Sequence, residues 1–243
     1  MLSGSSFLRA SSIRVAAYAV AVGLLTGSEG VMTQVRTGYL AAARAAAELV
    51  ADPAVTTAWQ QPGALPRMSV GAPASHLSGQ ITFVARVLGD PPATEPTIPI
   101  LDYYARVGWI GTGLDEPFNL RIQRGEEKAA ADGPAPMIER TRQALAEVEA
   151  GLPDAPGRPI HLPVWGDWSI SLDDFVTSRL MELIVHSDDL TVSVGLPTPE
   201  FPPEATDTVV TLLARLAVQR HGPLPVLRTL SGSERAPGDI AAI

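Results

Sequence analysis

Residues 171–194 read SLDDFVTSRLMELIVHSDDLTVSV, and this stretch decides the fold because its pattern predicts one long helix. Ser171 is a residue type that caps helix N-termini, since its hydroxyl accepts a hydrogen bond from a free backbone N–H. Asp173 and Asp174 put negative charge in the first turn, where the helix dipole favours it. The residues that follow are apolar on most sides of the helix, which is typical of a buried helix. We therefore expect the other helices to pack around this one.

Four polar side chains recur along one face of the predicted helix. Glu182 and His186 are four residues apart, so they lie one turn above each other on the same face. At about 100° per residue, Arg179 and Asp189 fall in the same stripe, which is roughly 80° wide. Because the rest of the helix is apolar, this stripe is expected to point into the protein or into a cleft.

Buried charge is costly unless it is paired or bound to a metal, so the stripe has two interpretations. In the first, it is a structural cluster in which Glu182 bridges to Arg179 and His186 donates to a carbonyl. In the second, Glu182 and His186 form half of a metal site, with a carboxylate and an imidazole one turn apart. Helical Glu/His pairs are common and most bind nothing, so the spacing alone leaves both interpretations open.

Composition excludes several classes of function. The 243 residues include 18 basic and 26 acidic residues, with a formal charge of −8, and no basic run stands out. Nucleic acid is therefore not expected as a partner. The chain has no cysteine, which excludes disulfides, thiolate metal ligands and a cysteine nucleophile. The same absence is consistent with a cytoplasmic protein.

The first 31 residues form a distinct segment. Arg9 and Arg14 precede an apolar run, Val15–Leu25, as in a secretion signal. The run is too short to span a bilayer, so we expect no membrane partner. No good cleavage site follows it, and the alternative is a true start at Val31 or Met32. Either way, we expect residues 1–31 to be an N-terminal extension that contributes little to the fold, and residues 32–243 to form the folded domain.

Apolar residues at helical spacing predict an all-α protein. We expect a bundle of four helices near residues 33–51, 70–89, 135–152 and 171–194, with long connections and an additional C-terminal helix at 204–221. Residues 54–68 and 153–170 are expected to be loops, residues 119–124 an extended segment or short turn, and residues 224–243 a tail. His76 lies on the second helix, where a hydrogen-bonded, inert histidine is the simplest interpretation.

The stretch RLMELIVHSDDLTVSVGLPTP, residues 179–199, resembles a signature of the mycothiol-dependent maleylpyruvate isomerase family, within the DinB-like superfamily. The signature has the form R-x-x-E-x-x-V-H-x-x-D-L, and this chain matches it at Arg179, Glu182, Val185, His186, Asp189 and Leu190. Residues 69–77 resemble the family's second helix, which carries a histidine before a leucine. The resemblance runs from about Met32 to Ile243 and implies a DinB-like four-helix bundle.

The resemblance also implies a divalent metal, usually zinc, bound by His76, Glu182 and His186. Zinc with three such ligands keeps a fourth position open, which is the catalytic arrangement. A thiol bound there is deprotonated. The expected function is therefore a metal-dependent S-transferase or isomerase in which the thiolate of mycothiol attacks a small electrophile. The alternative is a non-catalytic DinB-like module that senses a metal or a thiol, or binds a partner.

Further residues are expected to support this site. Asp189 is the expected acceptor for a ring N–H of His186. Arg179 is expected to orient the Glu182 carboxylate or to bind an anionic group of the thiol. The fourth metal position is expected to face a cleft beside loops 54–68 and 153–170, with Trp165 or Trp168 near the bound thiol. The expected partners are thus a small-molecule thiol and an electrophile.

Overall fold

The computed structural model describes residues 28–108, 110, 113, 115–232, 234, 236 and 238–243. Residues 1–27, which make up most of the expected N-terminal extension, lie outside the described residues. Within the described part of the chain there are nine helices and one two-stranded sheet. The helices are α1 (Ser28–Val50), α2 (Pro53–Ala58), α3 (Gly71–Gly89), α4 (Ile100–Tyr104), α5 (Pro117–Ala130), α6 (Pro134–Gly151), α7 (Leu172–Val194), α8 (Pro203–His221) and α9 (Pro223–Ser231).

Helices α1, α3, α6 and α7 pack against one another and form the bundle, as the sequence predicts. Their apolar faces meet in one core that includes the fully buried side chains of Tyr39, Leu77, Ile81, Phe175 and Leu180. Helix α8 lies against α1 and α7, and α5 lies along α3. The all-α prediction is therefore confirmed, including the additional helix after the bundle. None of the described helices combines the length and the apolar character that a membrane span needs.

Helix α7 begins and ends at the residues that its sequence indicates. The Ser171 hydroxyl accepts a hydrogen bond from the backbone N–H of Asp174, so it caps the first turn. Gly195 follows the last turn with a φ of 71°, a left-handed conformation that glycine adopts without strain. These two local signals set the length of the helix, and the length determines which residues of the polar stripe lie inside it.

A buried arginine links three parts of the bundle. Arg36 on α1 donates through Nε to Asp173 Oδ1 at 2.8 Å, at the start of α7. Its Nη1 donates to the backbone carbonyls of Leu152, Pro153 and Ala155, just after α6. Because these carbonyls have no partner within a helix, the guanidinium stabilises the end of α6 and the start of α7 together.

Four segments expected to be irregular contain regular structure. Residues 119–124 were expected to be an extended segment or a short turn, but they belong to α5, which starts with Pro117 in its first turn. The loop 54–68 begins with α2, which Asp52 caps by accepting a hydrogen bond from Ala54 N. The loop 153–170 includes the antiparallel pair β1 (Pro159–Ile160) and β2 (Ile170–Ser171), and the tail begins with α9. Apart from α5, these elements have nine residues or fewer, which is too short for a long apolar period.

Candidate metal centre

Three side chains that can ligate a metal meet between α3 and α7. His76 comes from α3, whereas Glu182 and His186 come from adjacent turns of α7. One ligand atom of each residue lies within 4.8 Å of those of the other two. The two helices pack side by side in the bundle, and this packing brings His76 to the helical pair.

Glu182 stands between the two imidazoles. Its Oε2 atom lies 3.1 Å from Nε2 of His76 and 3.1 Å from Nε2 of His186. The cluster therefore turns two imidazole nitrogens and one carboxylate oxygen toward a common point. This donor set is typical of a catalytic zinc site, in which a fourth position stays open. The residues thus fit a divalent metal by their chemistry.

Each histidine is also held from behind by a second carboxylate. His186 donates from Nδ1 to Asp189 Oδ2 at 2.8 Å, and His76 donates from Nδ1 to Glu126 Oε1 at 3.1 Å. A hydrogen bond at Nδ1 leaves Nε2 as the atom that faces Glu182. Histidines that bind metals commonly donate their other ring N–H to a carboxylate in this way. Both histidines therefore have the orientation that a metal ligand needs.

Glu126 was not among the residues expected at the site. It lies on α5, part of which was expected to be an extended segment or a short turn, and no spacing rule connects it to His76. Its contact with His76 depends on how α5 lies along α3. The sequence from residue 126 to 131 is compatible with the start of a helix, but this pattern does not indicate which way the Glu126 side chain points.

The pKa values of the cluster reflect the same contacts. Burial alone would raise the pKa of Glu182, but its hydrogen bonds with His186 and His76 lower that pKa well below its ordinary value. Burial alone would lower the pKa of His186, but hydrogen bonds with Asp189 and Glu182 outweigh it and raise the pKa to about 9. The pKa of His76 is raised in the same manner, against burial, by Glu126 and Glu182. Protonated imidazoles and a divalent cation are thus alternative partners of the Glu182 carboxylate.

Solvent reaches the cluster from the histidine side. The Glu182 side chain is only 8% exposed, whereas those of His76 and His186 are 22% and 25% exposed. The two imidazoles are therefore partly exposed, while the carboxylate between them is shielded. This accessibility is what a site with an open fourth position requires.

Arg179 lies one turn before Glu182 on α7 but does not bridge to its carboxylate. Its Nη1 donates to Gln80 Oε1 at 2.6 Å, and its Nε donates to Ser178 Oγ at 3.2 Å. Gln80 in turn places its side-chain nitrogen 3.1 Å from Nε2 of His76. The structural cluster in which Glu182 bridges to Arg179 is therefore not the one that forms. Arg179 reaches the site through Gln80 instead.

The two tryptophans lie in an aromatic cluster beyond Arg179. Trp165 and Trp168 stack with centroids 4.7 Å apart, and both rings contact Tyr103. Trp165 also meets the edge of Phe175, over which Arg179 places its guanidinium at 5.4 Å. Trp165 is thus linked to Arg179 through Phe175 and remains partly exposed, whereas Trp168 is buried.

The other two histidines lie elsewhere. His161 has its Nδ1 2.8 Å from the backbone carbonyl of Trp168, in the segment between β1 and β2. His221 ends α8, with its Nε2 2.8 Å from the carbonyl of Ala241. Because its contact is with Ala241 and not with the cluster, His221 is a suitable control residue for substitutions of His76 and His186.

Comparison with known proteins identifies one family. The family model described as mycothiol maleylpyruvate isomerase N-terminal domain matches residues 39–191, which is more than half of the chain. The matched range contains His76, Glu182 and His186, together with the carboxylates behind the two imidazoles. No curated protein and no solved structure matches the chain.

Proposed function

Because this chain belongs to the mycothiol maleylpyruvate isomerase N-terminal domain family, we propose that it is a divalent-metal-dependent thiol S-transferase or isomerase. Its cosubstrate in this proposal is mycothiol, its second substrate is a small electrophile, and its metal is zinc. The observation that carries the proposal is the convergence of His76, Glu182 and His186 within 4.8 Å. A bundle without a site has no need to turn three ligand atoms toward one point.

His76, Glu182 and His186 are the residues that hold the metal. When bound, the metal supplies the positive charge that keeps a thiol sulfur in its thiolate form at neutral pH. An external thiol is needed because the chain contains no cysteine and therefore no thiol nucleophile of its own. The protein's own contribution is to orient the ligands and to position the two substrates.

Two further residues act through the ligands or the thiol. Asp189 fixes the ring of His186 by accepting its Nδ1–H. Arg179 donates to Gln80 rather than to Glu182, so of its two expected roles we assign it the binding of an anionic group of the thiol. Its positive charge lies within electrostatic range of Glu182, one turn from the metal ligands.

We assign Trp165 and Trp168 to binding of the thiol cosubstrate. Their rings stack on each other, Trp165 contacts Tyr103 and Phe175, and the Arg179 guanidinium lies over the Phe175 ring. Aromatic rings of this kind supply a large, rigid contact surface for a small ligand. We also propose a cytoplasmic location, because the cysteine-free composition is consistent with that compartment.

The test combines metal analysis with a thiol-consumption assay. Purified protein is expected to contain about one zinc per chain and to consume mycothiol with at least one member of a panel of small electrophiles. His76→Ala and His186→Ala should each abolish both metal retention and thiol consumption while the helical circular dichroism signal persists. His221→Ala serves as the control and should change neither.

The outcomes separate the alternatives. Protein that binds no metal in any preparation contradicts the proposal altogether. Protein that retains its metal but consumes no thiol with any electrophile favours the non-catalytic module that senses a metal or a thiol, or binds a partner. Loss of thiol consumption in His221→Ala would show that the assay reports general damage rather than the site.

A further inference from the structure

Helix α5 places a carboxylate directly behind His76. Glu126 Oε1 lies 3.1 Å from His76 Nδ1, and its Oε2 accepts a hydrogen bond from Ser75 Oγ at 2.9 Å. Both oxygens are therefore engaged, one on the histidine and one on the residue before it. Because both oxygens of the Glu126 carboxylate have a hydrogen-bond partner, its orientation is fixed. A carboxylate with a fixed orientation can in turn fix the orientation of the His76 ring.

The attachment of α5 to the bundle is mostly polar. Ala130 is the only residue of α5 that is buried among its described positions. The neighbouring Glu127 accepts hydrogen bonds from the backbone N–H and hydroxyl of Ser69, at 2.6 and 3.0 Å. The last residue of the helix accepts from Trp59 Nε1 at 2.9 Å. A helix that buries so little apolar surface contributes mainly by where it puts its carboxylates.

The contacts on both sides of the His76 ring indicate which nitrogen is available to a metal. Arg179 Nη1 donates to Gln80 Oε1 at 2.6 Å, so the amide nitrogen of Gln80 must be the atom that lies 3.1 Å from His76 Nε2. A carboxylate only accepts hydrogen bonds, so the contact of Glu126 with Nδ1 needs a hydrogen on Nδ1. With that hydrogen held by Glu126, Nε2 is the ring nitrogen that faces Glu182 and is available to a metal.

From this arrangement we propose that Glu126 is a positioning residue of the metal centre: it fixes the tautomer and the ring orientation in which His76 Nε2 binds the metal. The inference rests on the proposed function, since it needs His76 to be a ligand. Glu126 then does for His76 what Asp189 does for His186, although the two carboxylates come from different helices. Removing such a supporting carboxylate typically lowers metal affinity about 10–100-fold.

The experiment measures metal binding rather than turnover. Zn²⁺ affinity is determined by competition with a chromophoric chelator for the wild type, Glu126→Ala, Glu126→Gln and Glu127→Ala. Glu127→Ala is the matched control, because it removes a carboxylate of the same helix that binds Ser69 and not a histidine. We expect Glu126→Ala to lower Zn²⁺ affinity about 10–100-fold and Glu127→Ala to leave it unchanged. Glu126→Gln keeps the shape but not the charge, so its affinity should lie between those of the wild type and Glu126→Ala.

A spectroscopic measurement separates positioning from general loosening. The visible absorption of Co²⁺-loaded protein reports the geometry of the ligands, so it should change in the Glu126 variants and not in Glu127→Ala.

Unchanged Zn²⁺ affinity in Glu126→Ala overturns the inference. If Glu126→Ala does not fold, the inference is overturned when Glu126→Gln binds Zn²⁺ as tightly as the wild type does. If Glu127→Ala lowers Zn²⁺ affinity as much as Glu126→Ala does, the inference is also overturned. The loss of affinity would then come from weaker packing of α5 against the bundle. A wild type that binds no Zn²⁺ rejects the proposed function as well, and this result is distinct from all the others.

Discussion

The imidazole rings of His76 and His186 meet edge to face, with their centroids 4.6 Å apart and their planes at 82°. One ring comes from α3 and the other from α7, and both turn Nε2 toward the same oxygen of Glu182. Two protonated imidazoles this close repel each other, and His186 accordingly opposes protonation of His76. A divalent cation would satisfy the same three atoms without that repulsion.

Removal of the metal is expected to destabilise the wild type. A ligand that binds only the folded state adds about 2.7 kcal/mol when its free concentration is 100 times its Kd. For a chain of this size, each kcal/mol corresponds to a shift in Tm of about 2–4 °C. A strong chelator should therefore lower the Tm by several degrees in thermal unfolding followed by circular dichroism.

The control for metal removal is the double variant His76→Ala/His186→Ala. It lacks two of the three ligands, so the chelator should leave its Tm unchanged. The same chelator shift in the double variant and the wild type would mean that the metal binds elsewhere.

Asp189→Ala is expected to lower Zn²⁺ affinity about 10–100-fold, because the His186 ring loses the acceptor of its Nδ1–H. Competition with a chelator measures this affinity. Asp188→Ala is the matched control, since Asp188 is the preceding residue and its exposed side chain accepts from Thr198 instead. Equal Zn²⁺ affinities in the two variants would show that Asp189 does not support metal binding.

Arg36→Ala is expected to destabilise the fold by about 3 kcal/mol, at the low end of the range for breaking a buried ion pair. The Arg36 and Asp173 side chains are 9% and 16% exposed, so removing the guanidinium leaves a mostly buried carboxylate without its cation. Unfolding in urea measures the change. In the control Arg44→Ala, the ion pair with Glu149 is 53% and 38% exposed and should be worth at most about 1 kcal/mol. A similar loss in both variants would contradict a structural role specific to Arg36.

Gly71→Ala tests the close packing at the start of α3. A Cβ at Gly71 would lie 2.6 Å from Nε1 of Trp59, whose indole is almost fully buried and donates to the carbonyl of Ala130. Overpacking of this kind typically costs about 1–3 kcal/mol in the free energy of unfolding. Gly89→Ala, at the other end of the same helix, meets no atom within 4 Å and should be neutral or slightly stabilising. Equal stability of the two variants in urea unfolding would show that Trp59 moves aside without cost.

Local information in the sequence predicted the most. Ser171 identifies the start of α7 because capping depends on hydrogen bonds within one turn, and the helix ends at Val194 as expected. The apolar periods of α1, α3, α6 and α8 are long enough to indicate helices. In contrast, β1 and β2 have two residues each and show no period that sequence patterns can detect. Among its described residues, α5 buries only Ala130, so its place beside α3 could not be predicted from a core-facing stripe.

The sequence by itself determined the helical bundle, the pairing of Glu182 with His186 on one face, and the location of Asp189 on the same stripe. All three follow from a repeat of about 3.6 residues per turn within a single helix. Only the tertiary structure decided that Gln80 stands between Arg179 and the site, and that Glu126 supports His76. The physical reason is that these contacts join α3 to α7 and α5 to α3, and the relative placement of helices depends on packing across the whole bundle rather than on any local period.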